Sequence, residues 1–370
     1  MMLRVLKLRL AFAAFVLPLA ACSGDPLDGA RDAFAAQDYA EARQQALAAV
    51  KADGANGEAL LLLAQANIAM GQGADALAAL DRLKDPDAAS PQGTLIRAEA
   101  LLQAGNREDA LELLADLDSA EAWRLRALAA QMAGDDRAAA DAFREGTMAA
   151  GDRSKLFTAA ASFYLARGDT PAARRAIGEA QRLSPGSIET LFVSARLAQL
   201  DDKPELAARA YLAILERDPT DRPALLGAIR ELDKLGRLDL ITPLIQRGRR
   251  TYPADIDFVY LAASLEAFKG RWQAARDLLQ NHESAVADHE DARGLYGEAL
   301  LNVGQVEQAR AMIAPLHRRH PDNAAYARLL TRILLESGEV AAARRTIAPF
   351  ASRSGAEAID RELAARAARG

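Results

Sequence analysis

LARGDTPAA, residues 165–173, and NVGQVEQA, residues 302–309, are the same short turn written twice. Each closes an apolar run, centres on a glycine (Gly168, Gly304) and reaches an alanine five residues later (Ala173, Ala309). Working outward, the turn recurs in AAQDYAEA, AMGQGADA, LQAGNREDA, MAGDDRAA, QLDDKPELA, KLGRLDLI, FKGRWQAA and ESGEVAAA. These register on Gln37, Gly71, Gly105, Gly134, Gly168, Asp202, Gly236, Gly270, Gly304 and Gly338, with neighbours 34 residues apart except for 29 between Gly105 and Gly134. A fixed period of this length means that one supersecondary unit is stacked along the chain, each copy burying the apolar face of the next. The unit reads as two antiparallel helices joined by a tight turn, with glycine supplying the open backbone that ends the first helix.

The other phases agree. Five residues after the turn stand Ala42, Ala76, Ala110, Ala139, Ala173, Ala207, Ala275, Ala309 and Ala343; seven before it stand Ala30, Ala64, Ala98, Ala127, Ala161, Ala195, Ala263 and Gly297. Small residues at both places let paired helices approach closely. Bulk recurs where the gap must be filled, at Leu80, Leu114, Phe143, Ile177, Tyr211, Ile245, Leu279, Ile313 and Ile347. Pro185, Pro219, Pro253 and Pro321 fall just past second helices, where proline cannot continue a helix. In its small, large and proline phases the chain resembles the tetratricopeptide-repeat family. The resemblance implies an all-α fold: a right-handed helical solenoid of about ten helix-turn-helix repeats. The repeats run at roughly 23–56, 57–90, 91–119, 120–153, 154–187, 188–221, 222–255, 256–289, 290–323 and 324–356. EAIDRELAARAARG, residues 357–370, reads as a capping helix, since terminal repeats need a polar outer face.

The 370 residues carry 46 Lys and Arg against 51 Asp and Glu, a net charge of −5, with few aromatics. That balance offers no basic stripe and few stacking platforms, so nucleic acid is excluded as a partner class. The one cysteine, Cys22, cannot form an intramolecular disulfide. Before it, Arg4, Lys7 and Arg9 precede the uncharged apolar run Leu10 to Ala21, the composition of a cleaved signal peptide over residues 1–21 and too short to span a bilayer. Leu19, Ala20, Ala21 and Cys22 resemble a bacterial lipobox, which implies acylation of Cys22 and a mature array over 22–356; Ser23, rather than Asp, favours the outer membrane facing the periplasm. Several acyl chains give the stable anchoring that one chain cannot. Losing the three basic residues takes the net charge to −8.

Departures from the repeat carry expectations of their own. The third copy is five residues short after Leu117, which should trim its second helix or loop and disturb the superhelix there. The seventh puts Ile229 and Ile241 at the two small phases and Gly248 where others carry Ala180, Ile214 or Leu316, which suggests a volume exchange inside one helix pair and an altered crossing. Pro243, Pro315 and Pro349 lie inside second helices and should kink or shorten them.

No catalytic motif emerges: GxSxG, GxxxxGK[ST] and HExxH are all missing. Of the four histidines, His317 and His320 share a helix-face spacing, but no Cys, Asp or Glu stands at ligand spacing beside them, and His282 and His289 stand apart. The chain therefore reads as a non-enzyme without cofactor or metal. By the resemblance, first helices line a concave groove through the second, fifth, ninth and twelfth places of each repeat. On this chain those places hold Leu61, Gln65, Ile68, Leu95, Glu99 and Leu102, then Phe192, Arg196, Gln199, Leu226, Arg230, Asp233, Tyr260, Arg328 and Arg332. The face would be apolar early and cationic later. The tail-clamping subtype of the family needs Lys and Asn at the fifth and ninth places of its first repeat; Leu27 and Arg31 stand there instead. The expectation is a lipid-anchored periplasmic scaffold that binds a protein or extended peptide and assists an envelope machine, with direct contact to an exported polysaccharide as the alternative.

Overall fold

The structure, a computed structural model, describes residues 25–84 and 90–369. It divides into two compact units, the first ending at Ser184 and the second beginning at Pro185. The secondary structure among the described residues is helical throughout, and the helices come in pairs. Unit 1 holds α1 (Pro26–Ala35) with α2 (Tyr39–Ala52), α3 (Gly57–Ala69) with α4 (Gly73–Leu80), α5 (Pro91–Gln103) with α6 (Arg107–Leu114), α7 (Ala120–Met132) with α8 (Asp136–Gly146), and α9 (Ser154–Ala166) with α10 (Thr170–Leu183). Unit 2 holds α11 (Ile188–Leu200) with α12 (Pro204–Leu215), α13 (Arg222–Lys234) with α14 (Leu238–Thr251), and α15 (Ile256–Phe268) with α16 (Trp272–Gln280). A short α17 (Glu283–Asp288), which the spacing does not foretell, follows; then come α18 (Glu290–Asn302) with α19 (Val306–Arg319), α20 (Ala324–Glu336) with α21 (Val340–Ala351), and a single α22 (Ala358–Arg369).

The local chemistry explains the regularity. All ten register residues have positive φ, between +52° and +86°. At the second repeat Gly71 N–H donates to Ile68 O at 2.9 Å and Gln72 N–H to Asn67 O at 2.8 Å, the two bonds of a Schellman helix end. Gln37 and Asp202 adopt the same conformation with a side chain present, at φ +63° and +52°. Helices then restart on side-chain caps: Asp38 on Glu41 N, Asp169 on Ala172 N, Asp221 on Ala224 N, and Ser90, Ser119 and Ser187 on the third residue after each.

Every alanine at the two small phases is fully buried, and the large-phase residues from Leu80 to Ile347 are buried against them. At Gly297 a Cβ would lie 2.4 Å from Ile313 Cδ1, so alanine there would require the Ile313 side chain to shift.

The three departures resolve differently. The short third copy has an eight-residue second helix, α6, and the full-length second copy has one of equal length, α4, against 14 residues in α2, α10, α14 and α19. In the seventh copy the volume exchange runs between repeats and not inside one pair. A Cβ on Gly248 would lie 2.2 Å from the Phe258 ring of α15, and one on Gly227 would lie 2.6 Å from the Tyr211 ring of α12. Both glycines thus make room for aromatics of the neighbouring repeats, while Ile229 and Ile241 are buried in the same cluster. The internal prolines do not shorten their helices: α14 and α19 run 14 residues through Pro243 and Pro315, and α21 runs 12 through Pro349. Each ring lies on an exposed or half-buried position. At Pro315 the deprived carbonyl finds a substitute, because Arg293 of α18 reaches Ala311 O at 3.5 Å and Met312 O at 3.1 Å.

Candidate functional site: the inner face of the first helices

The side chains at the fifth, ninth and twelfth places of the first helices meet partners across repeat boundaries within a unit, as Glu99 does Arg124 and Gln199 does Glu231, and also within a repeat, as Phe192 does Tyr211. In unit 1, Leu61 and Ile68 are half-buried against the core of the first repeats, and Leu95 against that of the third and fourth. Gln65 is half-buried on α3. Glu99 is not free: its carboxylate lies 2.6 Å from Arg124 Nη2 on α7, which also meets Glu121 at 2.7 Å. The Arg124 side chain is only 14% exposed. Burial alone would drive it toward losing its proton, but the two carboxylates outweigh that and hold its pKa above the ordinary arginine value. Glu121 feels the converse: burial pushes its pKa up, and the bonds from Arg124 bring it below the usual carboxylate value.

In unit 2 most of the sequence-selected residues are likewise engaged. Phe192 packs edge-on to Tyr211 at 6.1 Å. Gln199 donates to Glu231 at 2.7 Å, and Arg230 and Lys234 reach the same carboxylate at 3.2 and 2.9 Å. Glu231 is wholly buried. Burial pushes its pKa up, but the bonds from Lys234, Gln199 and Arg230 prevail and keep it low. Tyr260 stacks at a tilt on His289, with ring centres 5.7 Å apart. Arg328 is clamped between Asp360 and Glu357, at 2.7 Å from each, tying α20 to α22. Arg332 lies 3.6 Å from Glu298 and 3.5 Å from Asn302. The late arginines thus carry balanced charge, not an open cationic strip. Arg196 and Asp233 are exposed, and neither has an ion pair among the described residues.

Two engaged residues were not singled out by place. Arg124 occupies the fifth place of the fourth repeat, the same place as Leu61 and Leu95, so the rule that picked those reaches it too. Glu231 occupies the tenth place, where other repeats from the second onward carry Ala66, Ala100, Ala129, Phe163, Leu197, Leu265, Ala299 and Ile333. A charge alone in an apolar column was the available signal. Arg222 adds a further bridge, 2.5 Å from both Asp255 and Asp257.

The histidines disperse. His289 meets Asp257 at 3.2 Å, His320 meets Glu290 at 2.9 Å, His282 lies against backbone carbonyls, and His317 Nδ1 is buried without a partner. Among the described residues no group of three His, Cys, Asp or Glu side chains could hold a metal ion. No described helix is long and apolar enough to cross a membrane. Cys22 and residues 1–21 lie outside the described residues.

Two family models, both described as tetratricopeptide repeat, match residues 27–93 and 267–333; neither is a catalytic family. Cellulose synthase operon protein C of Pseudomonas fluorescens is 26% identical over 197 residues, which cover 50% of this chain and 15% of that relative. Among solved structures, a tetratricopeptide repeat protein from Parabacteroides merdae is 16% identical and covers 67% of this chain and 98% of its own, with a TM-score of 0.48. The Cut9–Hcn1 hetero-tetramer of the APC/C is 13% identical with a TM-score of 0.47, covering 92% of this chain and 95% of its own. The helix pairs, their left-handed turn residues and the two matched segments give an all-α fold of tetratricopeptide repeats.

Proposed function

We propose that the chain is a lipid-anchored periplasmic scaffold whose first-helix face binds a protein or extended peptide and so assists assembly of an envelope complex. Tetratricopeptide repeats are in general protein-binding modules, and the matched segments support that coarse reading. The observation that carries it further lies in unit 2. Arg196 and Asp233 are open polar groups of opposite sign on a face where Gln199, Arg230, Arg328 and Arg332 are already paired. Such groups can fix the register of an extended chain without a large change in local charge.

The name of the Pseudomonas relative favours a polysaccharide-export machine among envelope complexes, with direct contact to the polymer as the second reading. The anchor reading rests on Cys22 and the run before it. Photo-crosslinking from Arg196 or Asp233 in intact cells should yield a discrete protein adduct; adducts to polymer alone would support the second reading and overturn the first. Cys22→Ser should release the chain from the membrane fraction, and persistence there would refute the anchor.

A further inference from the structure

The short third repeat opens a cleft. A second helix of 14 residues, as in α2, α10, α14 and α19, starting at Arg107 would run on through residues 115–118; α6 stops at Leu114 instead. The freed loop is pinned to the next one by a bond from Ala120 N–H to Ala150 O at 2.8 Å, with Gly151 at φ +93° turning the chain away. Between the two loops lies a shallow, broadly open cleft of about 580 Å³, lined by Asp116, Asp118, Trp123, Arg126, Glu145 and Met148 among others. That volume is within the roughly 300–1,000 Å³ of small-ligand sites.

Its wall is already organised. Trp123 Nε1 donates to Asp118 at 2.8 Å, and the Arg126 guanidinium sits 4.3 Å from the indole centre. Arg126 Nη2 is tied to the carbonyls of Leu114 and Ala115, whereas Nη1 is buried without an acceptor. Met148 is 87% exposed, the most exposed large apolar side chain described. Three carboxylates, a guanidinium held against an indole, and the apolar surfaces of Trp123 and Met148 therefore line one space.

We propose that this cleft binds an uncharged saccharide chain. A purely apolar ligand would strand the carboxylates and the arginine. An anionic one would meet three carboxylates against one guanidinium, and a cationic one would be set beside the Arg126 guanidinium. Hydroxyl groups donate to the carboxylates without bringing charge next to the guanidinium, while the C–H faces of a sugar ring cover indole and thioether. The proposal does not rest on the reading of the first-helix face.

The chain has two tryptophans, so Trp272→Phe leaves Trp123 as the single indole reporter. Full-length protein in detergent is titrated, by emission and by calorimetry of the unsubstituted chain, with three neutral hexasaccharides: β-1,4-glucose, β-1,3-glucose and β-1,4-N-acetylglucosamine. An oligo-uronate and a lysine-rich peptide are run in parallel. At least one neutral hexasaccharide should shift Trp123 emission saturably and give binding heat, and Trp123→Ala should weaken that binding about tenfold or more. Glu145→Gln, an exposed change that leaves the fold alone, should weaken it about threefold and decides the matter if Trp123→Ala unfolds. No response to any of the three, tighter binding of the uronate or the peptide, or unchanged heat in both variants would overturn the proposal.

Discussion

Arg124 in unit 1 and Glu231 in unit 2 are both buried charges on first helices, yet they are held in opposite ways. Arg124 sits between two carboxylates that are themselves mostly covered, Glu99 at 24% and Glu121 at 27% exposure. Glu231 is at zero exposure, but its cationic partners Arg230 and Lys234 are 61% and 47% exposed. The difference decides what happens when the central charge is removed. A buried pair is expensive to break because the partner is left desolvated, whereas a partner that can return to water leaves little behind. Arg124→Met should therefore cost about 3 kcal/mol, the lower end for a broken buried pair. Glu231→Leu, which restores the apolar residue type of the tenth places from the second repeat onward, should be neutral or stabilising by about 1 kcal/mol. Denaturant midpoints of the two variants measure both, and equal losses would break the contrast.

Most of the fold was legible because it is periodic. The ten register residues, the small phases and the large phases all follow from one 34-residue pattern, and tight packing against alanine leaves each place little choice. What the pattern hid is what happens between copies. Gly248 looked like a partner for Ile229 and Ile241, since a sequence read repeat by repeat compares places within a pair; the ring that fills its space belongs to Phe258 of the next pair. The prolines misled for a related reason, because a missing N–H matters only if its carbonyl partner has no other donor, and at Pro315 that donor comes from α18. At the candidate face the residue types were legible and most of their pairing was not. Glu357 and Asp360, which balance Arg328, stand outside the places that define the groove, whereas Glu298, which faces Arg332, holds the ninth place of the preceding repeat, so that pairing could have been read from the rule.

The Arg328 clamp sharpens the comparison at intermediate size. Asp360 has only 4% of its side chain exposed, and besides Arg328 it accepts from Glu357 N–H at 3.1 Å, the backward half of a capping box. The bond from Arg328, against the opposing effect of burial, holds its pKa below the ordinary carboxylate value. The folded chain thus gives up this proton more readily than the unfolded one. The stability it supplies is complete above the unfolded value, about 3.9, and is lost as pH falls through the lowered folded value. Charge-assisted bonds of this kind are worth about 1.5–3 kcal/mol. Hydrogen exchange in α22 should accelerate on acidification ahead of the rest of unit 2. Asp360→Asn should already exchange fast at neutral pH and lose that acid step. If α22 stayed protected in the variant, the clamp would not be what holds it.

The smallest effect concerns the two turn residues that are not glycine. An L-residue in the left-handed region costs roughly 1–2 kcal/mol, less for Asp, whose short polar side chain can bond locally. Against that, glycine costs about 0.5–1 kcal/mol in lost freedom on folding. Gln37 lacks the compensation that Asp202 has by residue type, and both end their helices with the same wrap-around bond, Asp38 N–H to Ala33 O at 2.9 Å and Lys203 N–H to Ala198 O at 2.8 Å. Gln37→Gly should therefore raise stability by about 0.5–1 kcal/mol, and Asp202→Gly should leave it within about 0.5 kcal/mol of the parent. Thermal melts of the two variants read the difference directly. A larger gain at Asp202 than at Gln37 would mean that backbone strain at these turns is set by the neighbouring repeats and not by the residue that bears it.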